Sequence, residues 1–321
     1  MRSLFLMVAL LLAATMVRLA AWLDAPPGLR FDEMLVVTQT AAIRDGARPI
    51  YIDDLAEEPL YHYLFAAAQD LFGSHLFTLR WLSMALGVIS VAAIYALGRR
   101  MFTVRVGLLA AAIGTTAFWA LMYSRIGLRI IALPAFVTLA MLTMWRGLDL
   151  ARGSATTVTA QVRPSQGSYQ RHFILAGVLF GLSAYTYSAT RLLPVMFAAF
   201  GVYLFFFQRS LLRAQARNLS MMVILALIIA LPMAIHIATE PAAERRLGEV
   251  EGPLDALQRG DVQPLVNSMA ITAGMFIASG DPEWLYNIPN RSVFDLLTGA
   301  IFFGAVILSL RRFRQPAYAF V

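Results

Sequence analysis

The sequence contains no cysteine. Disulfides, iron–sulfur clusters and thiol chemistry are excluded, and the redox compartment is left open. Lysine is missing too: all 26 basic residues are arginine. That excludes a Schiff base and a lysine-bearing phosphate loop. Charge of either sign is scarce. Only 14% of the 321 residues are charged, against about 25% in an average soluble domain. With 59% hydrophobic residues and a mean hydropathy of +0.67, the composition argues against a water-soluble enzyme. A net charge of +7 would point to nucleic acid in a soluble protein. Here it marks one face of a membrane, and no nucleic-acid partner is expected.

Long apolar runs are plentiful. A bilayer-crossing helix needs roughly 20 mostly apolar residues. About eight runs qualify: 3–23, 76–98, 104–124, 127–146, 172–189, 191–208, 219–238 and 294–310. The first is too long for a signal peptide and lacks a small-residue cleavage site, so it reads as a retained helix. The expected fold is all-α, one polytopic transmembrane bundle over 1–321. Its long loops over 24–75 and 239–293 should carry interfacial helices. With the N-terminus in the cytoplasm, only Asp149 of the 19 carboxylates falls inside, whereas Arg99, Arg100, Arg105, Arg146, Arg209, Arg213, Arg217, Arg311 and Arg312 all do. This is a positive-inside pattern, and it places the candidate acids and bases on the extracytoplasmic face. The 149–171 loop reads as a flexible connector, 240–262 as a solvated surface and 265–279 as a short helix on the membrane. No internal repeat supports an inverted-repeat transporter.

The first outer loop carries Arg30-Phe31-Asp32-Glu33 ahead of a helical pattern. Capping is the plain reading, with Asp32 as N-cap and Glu33 favouring the helix dipole. A helix N-terminus also keeps a carboxylate ionised, fit to act as a general base. A second helix follows Glu57-Glu58, with Pro59 at its first position. Its stripe of Leu60, Tyr61, Leu64, Phe65, Ala68, Leu71 and Phe72 suits the interface plane. Glu58 and His62, four apart, would share a face. They could hold a divalent metal ion, although an ordinary polar contact is the plainer reading of His62.

Two arginines, Arg125 and Arg129, lie between the third and fourth runs, also four apart. On a helix they would share a face. They read either as interfacial anchors or as a guanidinium clamp on a lipid phosphate. Arg191 adds a cation after Thr190. Tyr185 and Tyr187 read as aromatic-belt residues. Farther on, Gly280-Asp281-Pro282 and Asn287-Ile288-Pro289-Asn290-Arg291 read equally as turn chemistry or as a binding loop.

Together these motifs resemble the GT-C membrane glycosyltransferases. The similarity is greatest to the branch of the protein O-mannosyltransferases, the lipid A aminoarabinose transferase and their bacterial relatives. It covers roughly residues 20–310. It implies that Asp32, with Glu33 beside it, is catalytic. It implies substrate contact for Tyr61, and substrate or metal contact for Glu58. The Gly181-to-Arg191 stretch resembles a family segment that ends in Thr-Lys. By the same resemblance, Asp281, Asn287 and Arg291 line the acceptor side. The chain lacks the lysine that binds donor phosphate in some relatives, so phosphate binding falls to arginines.

The function expected is transfer of a sugar from a polyprenyl-phosphate donor in the membrane to an unidentified lipid, glycan or protein acceptor. Nucleotide sugars stay in the cytosol, whereas an isoprenoid tail carries the donor to the outer face. Asp32 would act as base, with inversion, on the outer face of a bacterial plasma membrane. Two rivals remain. A transporter or flippase would place charges near the midplane. A non-catalytic subunit would keep the fold alone. The chain stops at the apparent start of a ninth span, so C-terminal truncation is a further expectation.

Overall fold

The computed structural model describes residues 2–22, 24, 27–74, 76–156, 166–240, 252–253, 255–284 and 287–320. The helices in chain order are α1 (Arg2–Leu19), α2 (Phe31–Arg44), α3 (Leu60–Phe72), α4 (Leu76–Met101), α5 (Val104–Thr116), α6 (Phe118–Tyr123), α7 (Ala132–Thr156), α8 (Gln166–Ser183), α9 (Leu193–Phe207) and α10 (Arg209–Thr239). They continue with α11 (Gln263–Met275), α12 (Leu296–Arg311) and α13 (Pro316–Phe320). Short 3-10 turns cover Asp53–Leu55, Arg129–Ile131 and Ser188–Leu192. Among the described residues the only β pairing is an isolated bridge between Ile52 and Glu57. Arg2–Leu19, Leu76–Met101, Arg129–Ala151, Ser188–Phe207 and Arg209–Thr239 are long and apolar enough to cross a membrane, and Val104–Thr116 and Leu296–Arg311 are shorter apolar helices.

Several boundaries differ from the sequence reading. The first helix stops at Leu19, not near 23. The 104–124 run is two helices, because Ala117 takes an extended conformation (φ −56°, ψ 125°) between α5 and α6. The 172–189 run stops being α-helical at Ser183, and a turn and a 3-10 turn follow. The 219–238 run starts ten residues earlier, at Arg209. In each case polar backbone or arginine lies at the run's edge, where apolar counting has no resolving power. Most of the connector expected over 149–171 is helix (α7 and α8); residues 157–165 lie outside the described residues, as do 241–251 of the expected solvated surface.

α4 packs against α1, α5 and α7, and α8 lies between α7 and α10. One core cluster joins α2 and α3 to α4 through Val36, Tyr61, Phe65, Leu79, Leu82 and Leu86. A second joins α7, α8 and α10 through Ala140, Met144, Phe173, Ala176 and Met222. In a membrane small residues let helices approach closely. A Cβ on Gly177 would meet the Met222 carbonyl oxygen at 2.7 Å. Gly177→Val is therefore expected to cost about 1–3 kcal/mol by forcing α8 off α10. Thermal unfolding in detergent reads this. Gly201→Val, where a Cβ meets nothing within 4 Å, is the neutral comparison.

Arg18 is the one arginine buried inside the first apolar helix. It is 1% exposed and donates to the carbonyls of Ala14, Gly114 and Thr115 at 3.1–3.3 Å. The last two carbonyls belong to the C-terminal turn of α5, where a cation is favoured. The break at Ala117 frees those carbonyls, so the kink and the arginine explain each other.

Contacts identify the two ends. At one, Arg100 pairs with Asp149 at 2.9 Å, and Gln208 donates to the Arg314 carbonyl at 2.9 Å. At the other, His236 and Asp53 are 2.8 Å apart, Arg125 donates to Val17 and Ala21, and Leu60 donates to Tyr185. The first end holds the arginine-rich turns. The second holds α2, α3, the 124–131 and 183–192 segments and residues 280–284 and 287–291.

Candidate active site

α2 begins at Phe31 with Arg30 as N-cap. Asp32 is thus in the first turn and not the cap expected for it. Glu33, at the third position, reaches back to accept from the Arg30 backbone N–H at 3.0 Å. Its carboxylate is fully buried and meets Arg80, with Nε–Oε1 and Nη2–Oε2 both 3.3 Å. It also accepts from the Gly127 N–H at 2.9 Å. Arg80, itself 0% exposed, donates in addition to the carbonyls of Trp22 and Gly28. Asp32 and Glu33 consequently face different surroundings. Glu33, expected beside Asp32 at the chemistry, is bound into a buried knot that ties α2, α4 and the 124–129 segment together.

Asp32 faces a cleft of about 410 Å³. Its walls include Glu57, Trp119, Tyr123, Arg129, Tyr187 and Asp281. Three aromatic rings and several carboxylates around one guanidinium suit a sugar, which offers both hydroxyls and apolar ring faces.

Arg129 anchors one wall. Its guanidinium pairs with Glu57, approaches Glu58 at 3.3 Å through Nε, and lies over the Tyr187 ring at 5.3 Å. Glu58 is 0% exposed, and its other oxygen is 3.6 Å from Arg191. Arg191 in turn donates to the Tyr51 hydroxyl at 3.5 Å. Arg129 Nη2 and Arg191 Nε are buried without a hydrogen-bond partner among the described residues. Burial alone would push the Glu57 carboxyl up, but His62 and Arg129 outweigh it and hold the group below the usual glutamate range. Burial, then the neighbouring Glu58, pushes the Tyr51 phenol up.

Several expectations change. Arg125 and Arg129 do not share a helix face. The chain between them leaves the helix at Ser124, so Arg125 turns to the end of α1 while Arg129 enters the cleft. Glu58 and His62 do not share a face either, because α3 begins at Leu60 and Pro59 is its N-cap. His62, fully buried, is 3.7 Å from Glu57 instead. Glu58 is engaged by two guanidiniums, and among the described residues no three His, Asp or Glu side chains come close enough to share a cation. The donor set at Glu58 and His62 therefore does not fit a metal.

Tyr61 is in the core, bonded to Ser83 Oγ at 2.6 Å and without exposure. Tyr185, read as a belt residue, donates to the Ile229 carbonyl at 2.8 Å, and Tyr187, read likewise, lines the cleft. Asn287 is 4% exposed and braces its own loop by donating to the carbonyls of Asp281 and Arg291 at 2.9 and 2.8 Å. Arg291 stacks on Phe118 at 4.4 Å. Of that loop, Asp281 reaches the cleft.

Sequence reasoning passed over Glu57, Trp119, Tyr123 and Arg80. Arg80 carried a signal: it is a lone arginine near the outer end of the 76–98 run. Glu57 carried one too, as half of an acidic pair of which only Glu58 attracted notice.

The fold is that of the GT-C membrane glycosyltransferases, and the chain is a multi-pass membrane protein. It belongs to the dolichyl-phosphate-mannose-protein mannosyltransferase family, whose model matches residues 56–236. Among curated proteins no sequence matches it. Two crystal structures of the Archaeoglobus fulgidus oligosaccharyltransferase are similar in fold. One is tethered to an acceptor peptide containing the NVT sequon and the other is in the apo form. Both have a TM-score of 0.61, at 16% and 14% identity, covering 99% of this chain and 45% and 46% of theirs. AglB from the same organism, in complex with an inhibitory peptide and a dolichol-phosphate, also has a TM-score of 0.61, at 15% identity over 99% of this chain and 46% of that one. The chain spans slightly under half the length of these structures.

Proposed function

We propose that this glycosyltransferase moves a sugar from a polyprenyl-phosphate donor to an acceptor hydroxyl on the extracytoplasmic face, with inversion. The observation that carries the reading is the shared cleft: Asp32 and Arg129 line one cavity at the carboxylate-bearing end. The family, and the dolichol-phosphate bound by the archaeal AglB, support a lipid-linked donor. In the step proposed, the Asp32 carboxylate takes the acceptor hydroxyl proton as that oxygen attacks the anomeric carbon. The bond from that carbon to the phosphate oxygen breaks, and its electron pair leaves with the polyprenyl phosphate. Arg129, steered by Glu57 and Glu58, stabilises the charge that builds on the leaving phosphate. Charges gathered at one end, and not at mid-span, favour this over transport.

The test is release of polyprenyl phosphate by the purified chain in nanodiscs given a polyprenyl-phosphate sugar and a mixed acceptor pool. Turnover with inverted anomeric configuration is expected, and none with nucleotide sugars. Retention of configuration, or use of a nucleotide sugar, would sink the reading. Arg129→Gln should lower turnover about 10²–10³-fold, and Arg129→Lys should recover only part, since an ammonium cannot make the two-pronged contact.

A further inference from the structure

A second cavity, of about 500 Å³, lies across α6 from the cleft. Its wall includes Arg30, Arg125, Phe118, Met122, Trp284 and Asn287, together with Ala20 and Ala21 past the end of α1. None of these residues lines the Asp32 cleft. The partition is α6 itself: Phe118 and Met122 face this cavity, while Trp119 and Tyr123 face the cleft.

The chemistry of the walls is mixed in one particular way. Among the described residues, Arg30 and Arg125 are, apart from Asn287, the polar members of an apolar lining at the level where the spans end. Arg125 already donates to the carbonyls of Val17 and Ala21, which holds its guanidinium at this place. Trp284, at 68% exposed, is an aromatic side chain left at that level, where indoles favour the membrane–water boundary. Asn287, nine-tenths buried, keeps an Oδ1 without a hydrogen-bond partner among the described residues. Guanidiniums select phosphate oxygens, apolar walls select acyl chains, and a buried carbonyl oxygen can accept from a hydroxyl. We propose that this cavity is a binding site for an anionic phospholipid, with the headgroup phosphate held by Arg30 and Arg125 and separate from the donor cleft.

Occupancy would reach the catalytic helix through the backbone. Arg30 is the N-cap of α2, and its N–H holds Glu33 at 3.0 Å. A phosphate on the Arg30 side chain therefore fixes the turn from which Asp32 projects. The lipid is a positioning ligand in this account and takes no part in bond making.

The experiment uses the full chain in phosphatidylcholine nanodiscs doped with brominated lipid, which quenches nearby indole emission. Trp284→Phe supplies the background from the other tryptophans. Brominated phosphatidic acid is expected to quench the Trp284 component several-fold more than brominated phosphatidylcholine at equal content. Arg125→Gln and Arg30→Gln should each remove most of that several-fold preference. Asp32→Asn should leave it intact, so loss of sugar transfer and loss of lipid binding are read apart. Inorganic phosphate should fail to compete, because half of the site is apolar. Equal quenching by the two lipids, a preference untouched by Arg125→Gln, or full displacement by inorganic phosphate would each overturn the proposal.

Discussion

Asp32→Asn is expected to lower sugar transfer by about 10²–10⁴-fold, the range that a positioned general base contributes. The two side chains are nearly isosteric, so the helix turn and the Glu33–Arg80 contact beside it should persist. The amide has no basic oxygen with which to take the acceptor proton. KM for the lipid-linked donor should change little, because the proposed grip on its phosphate is across the cleft at Arg129. Release of polyprenyl phosphate measures the rate, and thermal unfolding checks that the fold is unchanged. Activity within threefold of the parent would remove Asp32 from the mechanism. Glu57 and Asp281, which line the same cleft, would then be tested in the same way. Glu57 starts at a disadvantage, being already paired with Arg129 and close to His62.

The second large effect concerns Arg80. Arg80→Met leaves the Glu33 carboxylate buried with its charged partner removed. Breaking such a pair costs about 3–5 kcal/mol, whereas replacing both members can be close to neutral. Glu33→Gln alone should cost less, because its one amide oxygen can still accept from either the Gly127 or the Arg30 N–H and Arg80 keeps its donations to Trp22 and Gly28. The double variant Arg80→Met with Glu33→Gln should recover a substantial part of the loss. A double-mutant cycle on thermal unfolding in detergent measures the coupling. Two strictly additive changes, or an Arg80→Met penalty under about 1 kcal/mol, would show that the knot is not what fixes α2. The same cycle run on transfer rate should show the single variants losing more activity than stability alone accounts for, since Asp32 is adjacent in sequence to one member.

The apolar runs announced the bundle, and the lopsided arginines announced which ends of the helices belong together. Both signals are sums over many residues, and sums survive local error. The site was only half legible. Asp32, Arg129, Glu58 and Arg191 stood out as charges at helix ends. What they touch depends on where the backbone leaves the helix, and one residue decides that. Ser124 ends α6, which sends Arg125 and Arg129 to opposite sides of it. Pro59 stops short of α3, which gives His62 to Glu57 rather than Glu58. Glu33 looked functional because it adjoins Asp32, and Tyr61 because it closes the resembling Glu58-to-Tyr61 motif. On a helix the adjacent residue points about 100° away, and here that direction is the core. Tyr187 was read as a belt residue and Trp119 was passed over for the opposite reason, because aromatics are common wherever a helix meets the bilayer surface.

The opposed ends of the bundle also make it an electrical object. Among the described residues, Arg99, Arg100, Arg105, Arg209, Arg213, Arg217, Arg311 and Arg312 crowd one extremity, where Asp149 pairs with Arg100, whereas Asp32, Glu33, Asp53, Glu57, Glu58 and Asp281 gather at the other. Carrying one elementary charge across a membrane held at 100 mV takes about 2.3 kcal/mol. If the arginine-rich extremity faces a negative compartment, turning the molecule over would require that cost for each of its unpaired arginines. In a membrane with that polarity the charge asymmetry would work as a rectifier, with the voltage holding the arginine-rich extremity in the negative compartment.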